Sequence, residues 1–178
     1  KMETPKARAQ YMWYNDEMPY TLENSIRADI AGQVLDMIYL KKIREEASAA
    51  YSVSAIGRAQ LREDKTHSMM LYAICPMKPE KRQEAVSILE QEVKDLANTC
   101  DASMVAKIKE LMLKQADDAV KSNGYWYNVI EMYDKYGIDS HSDYKKLIEA
   151  QTPETICSFM KEFNKNGNRL GVVMLPAE

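Results

Sequence analysis

The chain contains 178 residues, of which 46% are apolar and 29% are charged, and its formal net charge at pH 7 is −3. A chain of this length and composition can bury a core without disulfides or metals. The acidic balance and the lack of a basic tract argue against a nucleic-acid partner. No apolar run reaches the roughly 18 residues that a membrane span requires, which argues against a membrane partner.

The first half of the chain is predicted to contain a strand, a long helix and a hairpin. Apolar and polar residues alternate over 6–18, which predicts a strand. Thr21 is a predicted N-cap for a helix that runs to about Glu46, because apolar residues then recur at helical spacing. Residues 50–62 and 68–75 are predicted to be strands, and the polar turn between them predicts an antiparallel hairpin.

The second half reads mainly as helices. Amphipathic segments predict a helix over 80–98 and another that begins at Asp101 or Ser103 and ends near 123. A tyrosine-rich helix over 125–136 is predicted to pack in the core or at an interface, and Thr152-Pro153-Glu154 predicts a helix start. A short buried strand over 170–175 closes the chain. The fold class is therefore α+β, with a mixed or mostly antiparallel sheet and helices packed on one face.

The sequence contains no complete set of residues for catalysis. Its two histidines, His67 and His141, lie outside the His-x-x-Glu-His and His-Glu-x-x-His spacings that place two imidazoles on one helix face. The cysteines, Cys75, Cys100 and Cys157, are too widely spaced for a zinc knuckle and are predicted to be packing residues. No glycine-rich phosphate loop or nucleophile elbow is present. No metal ligand or catalytic residue is therefore assigned to this chain.

One segment resembles a known family. Residues 40–55, LKKIREEASAAYSVSA, resemble a stretch of the pitrilysin/insulinase-type zinc peptidases. In those enzymes a long helix ends in Leu-x-x-x-Arg-Glu, and a short loop leads to Ala-Tyr-Ser-Val on a strand. The order of the surrounding elements is similar too, including the exit at Met77-Lys78-Pro79 and the closing Val-Val-Met-Leu-Pro run.

The resemblance implies a division of labour between two homologous halves. Residues 1–178 would form the C-terminal half-domain, which binds no metal, and zinc would lie in a partner N-terminal half on the same or another chain. Arg44 and Tyr51 match the residues that contact the carbonyl of a peptide substrate near that zinc. The isolated chain is expected to be inactive, and exported relatives favour a periplasmic or otherwise exported location. Ser48 departs from the family, which usually has glycine there, so the loop is expected to differ in shape.

Two other functions stay open at this point. A structural or assembly module with the same fold would need no substrate contacts, and a peptide-binding module could act alone. Without the resemblance, Arg44 reads as a cation that favours the helix end and Tyr51 as a packing residue on a strand.

Overall fold

The computed structural model describes residues 6–176, and four strands within them form one antiparallel sheet. The strands are β1 (Ala7–Asn15), β2 (Ser54–Leu61), β3 (His67–Met77) and β4 (Asn168–Met174). Their order across the sheet is β2-β3-β1-β4, so β2 and β4 are the edge strands. The predicted opening strand and the predicted β2–β3 hairpin are both confirmed.

The helices pack on one face of this sheet. They are α1 (Leu22–Tyr39), α2 (Arg82–Asp95), α3 (Ala102–Ala119), α4 (Asn123–Tyr136), α5 (Tyr144–Glu149) and α6 (Pro153–Lys165). A 3₁₀ turn, Pro79–Lys81, precedes α2, and a π-helical segment, Leu40–Glu46, follows α1. The predicted α+β class with helices on one face is confirmed. None of the helices between residues 6 and 176 is long and apolar enough to cross a membrane.

Alternation along the strands defines an inner and an outer face of the sheet. On β1, Ala7, Ala9, Tyr11 and Trp13 are buried, whereas the residues between them are exposed or half-buried. The buried set faces the helices α1, α2 and α6, which contact the sheet and share its apolar core. Burial of apolar surface between these two layers is the main stabilising term of the fold.

Helix α1 approaches β2 closely because both carry glycine at the contact. A Cβ atom on Gly57 would lie 1.7 Å from the Ala28 carbonyl oxygen, and one on Gly32 would lie 1.9 Å from the Gly57 nitrogen. The Asp36 carboxylate then accepts a hydrogen bond of 2.8 Å from the backbone N–H of Ala55. These contacts fix the end of α1 against the start of β2.

The prediction of a buried closing strand is wrong. Strand β4 forms, but all seven of its residues are exposed. Among the described residues it pairs only with β1, at the edge of the sheet, and the helical layer leaves it uncovered. On its inner face, Gly171 leaves room for the Tyr11 ring, which a Cβ atom would approach to 2.5 Å.

Candidate functional site

Arg44 lies in a helical segment that departs from α-helical geometry. The predicted helix does reach Glu46, but its last seven residues, Leu40–Glu46, form a π-helix. The backbone N–H of Ala47 accordingly bonds the carbonyl of Lys42, five residues earlier, at 3.0 Å. Such π segments occur often at functional sites, where they change the direction of side chains on the last turn. The sequence pattern did not predict this change.

Two contacts anchor the π-helical segment to α2. Lys42 Nζ lies 2.5 Å from Glu92 Oε1, and Glu92 is only 7% exposed. The hydroxyl of Tyr39 donates a 2.8 Å hydrogen bond to the Leu89 carbonyl. Burial, followed by the nearby Glu92 carboxylate, raises the pKa of Tyr39 well above its ordinary value. The phenol therefore keeps the proton that it donates, and the turn that carries Arg44 is held in place.

The loop after Arg44 contains a residue in the left-handed region. Ser48 has φ 49°, a conformation that glycine adopts without steric cost. Ser48 thus adopts a backbone conformation that glycine favours, and the expectation that serine changes the loop shape stays a prediction. Hydrogen bonds of 2.9 Å from Ala49 N–H to the Ile43 carbonyl and from Lys78 N–H to the Ala49 carbonyl close the loop.

Tyr51 lies outside the strand that was predicted to begin at residue 50. Ala50 forms an isolated bridge with Met77, and the regular β2–β3 ladder resumes only at Ser54 opposite Ile74. Three residues, 51–53, therefore face only two, 75 and 76, which is the arrangement of a β-bulge. Pro76, which has no backbone N–H, lies opposite this bulge, a common position for proline in sheets.

The bulge turns Tyr51 toward solvent. Tyr51 is 79% exposed, whereas Val53 and Ala55, predicted to share its face, are buried. The interpretation of Tyr51 as a packing residue is therefore wrong. Arg44 is exposed as well, so the two side chains stand at opposite ends of one fixed loop.

The polar groups of the Arg44 and Tyr51 side chains have no bonding partner among residues 6–176. Within residues 6–176, no hydrogen bond or ion pair engages the guanidinium of Arg44 or the hydroxyl of Tyr51, and none joins the two. The segment Leu40–Glu46 takes part in ion pairs through Lys42 with Glu92 and through Lys41 with Glu46, and neither pair includes Arg44. The planar guanidinium, with its N–H donors, and the phenolic hydroxyl are thus free to bind a carbonyl or carboxylate.

The histidines do not fit a zinc site. His141 Nδ1 lies 2.7 Å from the Tyr125 hydroxyl, and its ring centroid lies 4.8 Å from that of Trp126. Across the described part of the chain, no three His, Cys, Asp or Glu side chains are grouped so that they could hold a metal ion. A zinc site normally needs at least three such protein ligands. No chemical step can be assigned to a metal held by these residues.

A further exposed feature is the aromatic helix α4, which contains no buried residue. Tyr127, Ile130 and Tyr133 are each about two-thirds exposed, at 66%, 65% and 66%. The prediction that this segment packs in the core is therefore wrong, and only its interface alternative remains open. Exposed apolar side chains that lie together in this way mark an interaction surface.

Comparisons with known proteins support a peptidase-type fold. No protein-family model matches the sequence, and no curated relative matches it. The periplasmic protease PqqL from Escherichia coli superposes with a TM-score of 0.76 at 22% identity, over 99% of this chain and 20% of PqqL. The inactive peptidase domain of a candidate zinc protease from Bordetella parapertussis gives a TM-score of 0.72 at 12% identity, over 98% of this chain and 92% of that domain. A peptidase M16 inactive domain from Pseudomonas fluorescens gives 0.70 at 12% identity, over 97% of this chain and 42% of its own.

These likenesses concern the fold, because the identities are low. The chain spans only about a fifth of PqqL, but nearly the whole of the Bordetella parapertussis domain. The chain therefore has the fold of the inactive peptidase domains found in M16-type zinc proteases.

Proposed function

We propose that this chain is the substrate-binding, non-catalytic half of a zinc peptidase of the pitrilysin/insulinase type. The observation that carries the proposal is the pair Arg44 and Tyr51, both exposed and both free of partners among residues 6–176, at the ends of one fixed loop. The fold of inactive peptidase domains supports it. So does the similarity of residues 40–55 to the segment that carries the arginine and tyrosine in that family.

In this proposal the chain binds and orients a substrate, while the zinc half supplies the metal and its water. Arg44 offers a permanent positive charge with several N–H donors, and Tyr51 offers one O–H donor. Directed at one peptide carbonyl, they would hold it in position and stabilise the negative charge that develops on its oxygen. The π-helical segment and the bulge suit this role because both fix a side chain outside the regular geometry of its element.

The substrate, the zinc-bearing N-terminal half and the compartment belong to the same proposal. A half-domain that exposes α4 and β4 has apolar surface available for contact with another domain. The fold of a periplasmic protease supports a periplasmic or otherwise exported location. The zinc half would lie on the same polypeptide or on a partner chain.

The proposal is tested with Arg44→Ala in the enzyme assembled from this chain and its zinc half. Loss of one donor to a developing oxyanion lowers turnover by roughly 10²–10³, so we expect a fall of that order with unchanged zinc content. Arg82→Ala is the matched control, because Arg82 is also exposed but lies at the start of α2. Tyr51→Phe, compared with Tyr127→Phe, tests the hydroxyl in the same way.

Two results would contradict the proposal. Wild-type turnover in both Arg44→Ala and Tyr51→Phe would remove the pair from substrate binding and leave an assembly module as the better interpretation. Zinc-dependent cleavage by the isolated chain would show that the chain does not need a second half.

A further inference from the structure

The outer face of the sheet, opposite the helices, is open. In antiparallel pairs, residues directly opposite each other place their side chains on the same face. The registers therefore define one outer surface, here named the open face, from alternate residues of all four strands. Its residues are Arg8, Gln10, Met12, Tyr14, Ser54, Ile56, Arg58, Gln60, Ser68, Met70, Tyr72, Ile74, Pro76, Asn168, Leu170, Val172 and Met174. Two of them, Ser68 and Met70 in the first half of β3, are buried by their neighbours.

The centre of the open face is apolar. One row across the four strands consists of Leu170, Met12, Tyr72 and Ile56, in register with one another. Leu170 is 57% exposed and Ile56 is 46% exposed. The uncovered face of an antiparallel sheet is usually polar, because it meets water. Contiguous apolar surface of this kind marks an interaction site.

The charges on the open face all have one sign. Arg8 and Arg58 are its charged residues, and none of the four described strands contains an aspartate or glutamate. This contrasts with the net charge of −3 for the whole chain. Neither arginine forms an ion pair within residues 6–176, and the Arg58 guanidinium lies 5.7 Å from the centre of the Tyr72 ring.

The two arginines bracket the apolar rows. Arg58 on β2 and Tyr14 on β1 are both paired with Met70 on β3, so they lie in one row across the sheet. Arg8 lies six residues from Tyr14 along β1. At about 3.3 Å per residue, the two charges are therefore roughly 20 Å apart along the strands. A partner that is apolar in its middle and acidic toward its ends would match both features. Charge matching of this kind selects partners and speeds their association.

The open face adjoins the proposed substrate-binding pair. Arg8 is paired with Pro76, the residue opposite the bulge that exposes Tyr51. At the other side of the sheet, β4 leaves its outer backbone edge unpaired in the described chain, and an extended peptide can add to such an edge. A polypeptide held by Tyr51 would thus find apolar surface and positive charge directly beside it.

We infer that the open face binds the substrate polypeptide and selects extended segments whose apolar residues are flanked by aspartate or glutamate. This inference rests on the proposed substrate-binding function and specifies its substrate class. Arg8 and Arg58 supply the charge preference, and the row from Leu170 to Ile56 supplies the apolar contact.

The test uses the 178-residue chain and two fluorescein-labelled peptides with one apolar core sequence. One peptide is flanked by Asp and Glu, and the other by Lys. We expect fluorescence anisotropy to show that the acidic peptide binds roughly tenfold more tightly at low salt, as two exposed ion pairs allow, and that added salt reduces this ratio. The double variant Arg8→Glu/Arg58→Glu should reverse the preference. Arg82→Glu/Lys94→Glu changes the net charge equally but on α2, on the other side of the sheet, and should retain it. Circular dichroism checks that each variant is folded.

The outcomes separate this inference from the proposed function. Equal binding of the two peptides, or an unchanged preference in Arg8→Glu/Arg58→Glu, overturns the inference even if Arg44→Ala still lowers turnover. A dimer in light scattering that Ile56→Asp dissociates would also overturn it, because a second copy would then cover the open face. A reversed preference in Arg8→Glu/Arg58→Glu, together with wild-type turnover of Arg44→Ala in the assembled enzyme, would support the charge selection and contradict the role of Arg44.

Discussion

Ser48 provides a test of the backbone geometry that joins Arg44 to Tyr51. Its φ of 49° lies in the left-handed region, where an L-residue with a Cβ atom is disfavoured by roughly 1–2 kcal/mol. Ser48→Gly removes that cost, because glycine has no Cβ. The side chain is exposed and forms no hydrogen bond within residues 6–176, so little packing is lost. We therefore expect this substitution to stabilise the chain.

The size of the effect follows from two opposing terms. Glycine loses more backbone entropy on folding than other residues, at a cost of roughly 0.5–1 kcal/mol. Subtracted from a relief of roughly 1–2 kcal/mol, this leaves a net gain of about 0–1.5 kcal/mol, centred on about 0.75 kcal/mol, in the free energy of unfolding. For a domain of this size, such a gain corresponds to an increase in Tm of roughly 1–4 °C.

Ser52→Gly is the matched control, because Ser52 is exposed in the same loop but is not among the residues with positive φ. That variant should lose about 0.5–1 kcal/mol. Urea unfolding followed by the fluorescence of the buried Trp13 measures both variants. If Ser48→Gly destabilises the chain as much as Ser52→Gly does, the left-handed conformation carries no strain and the reasoning fails.

Three further predictions concern packing, thiols and pH. Gly57→Ala should destabilise the chain by more than about 3 kcal/mol in urea unfolding, because the added Cβ would meet the backbone of α1. Gly124→Ala is the control, because its Cβ would meet only a side-chain atom at 3.6 Å, and it should leave the free energy of unfolding unchanged. Burial raises the pKa of Cys75 to about 11 and that of Cys100 to about 12, so both should react slowly with Ellman's reagent at pH 8 until the chain is unfolded; fast reaction of the folded chain would contradict this. Hydrogen bonds from Ser142, and then from the His141 N–H, lower the pKa of Asp139 to about 2, so its stabilising contribution is present above pH 4 and is lost as the pH falls toward 2. The difference in Tm between wild type and Asp139→Asn should therefore narrow over that range, and a constant difference would exclude the carboxylate as its source.

Local sequence predicted most elements because their signals are local. Thr21 was predicted as an N-cap, and its side chain accepts a hydrogen bond from the Asn24 N–H. Thr152-Pro153 was predicted to begin a helix, and Thr152 forms a capping box with Thr155. Such contacts lie within one turn, so the residue types suffice to predict them.

The site geometry depended on contacts between distant residues. The π-helical turn is anchored by Glu92, and the bulge at Tyr51 lies opposite Pro76, so neither can be read from the local pattern. The exposure of β4 has the same origin, since an apolar strand is buried only where helices cover it. Apolar residues on both faces of a strand predict burial from sequence alone, and only the packing of the layers shows that one face is open.

The amino-acid sequence by itself determined the α+β class and the order of most elements, because periodicity and capping are local signals. The candidate pair Arg44 and Tyr51 came from the resemblance of residues 40–55 to the zinc-peptidase segment. The tertiary structure decided that both side chains are exposed and unpartnered within residues 6–176, and that one face of the sheet is apolar, positively charged and open. Those properties arise from which surfaces the long-range contacts cover. That is a property of the packed layers rather than of any single segment.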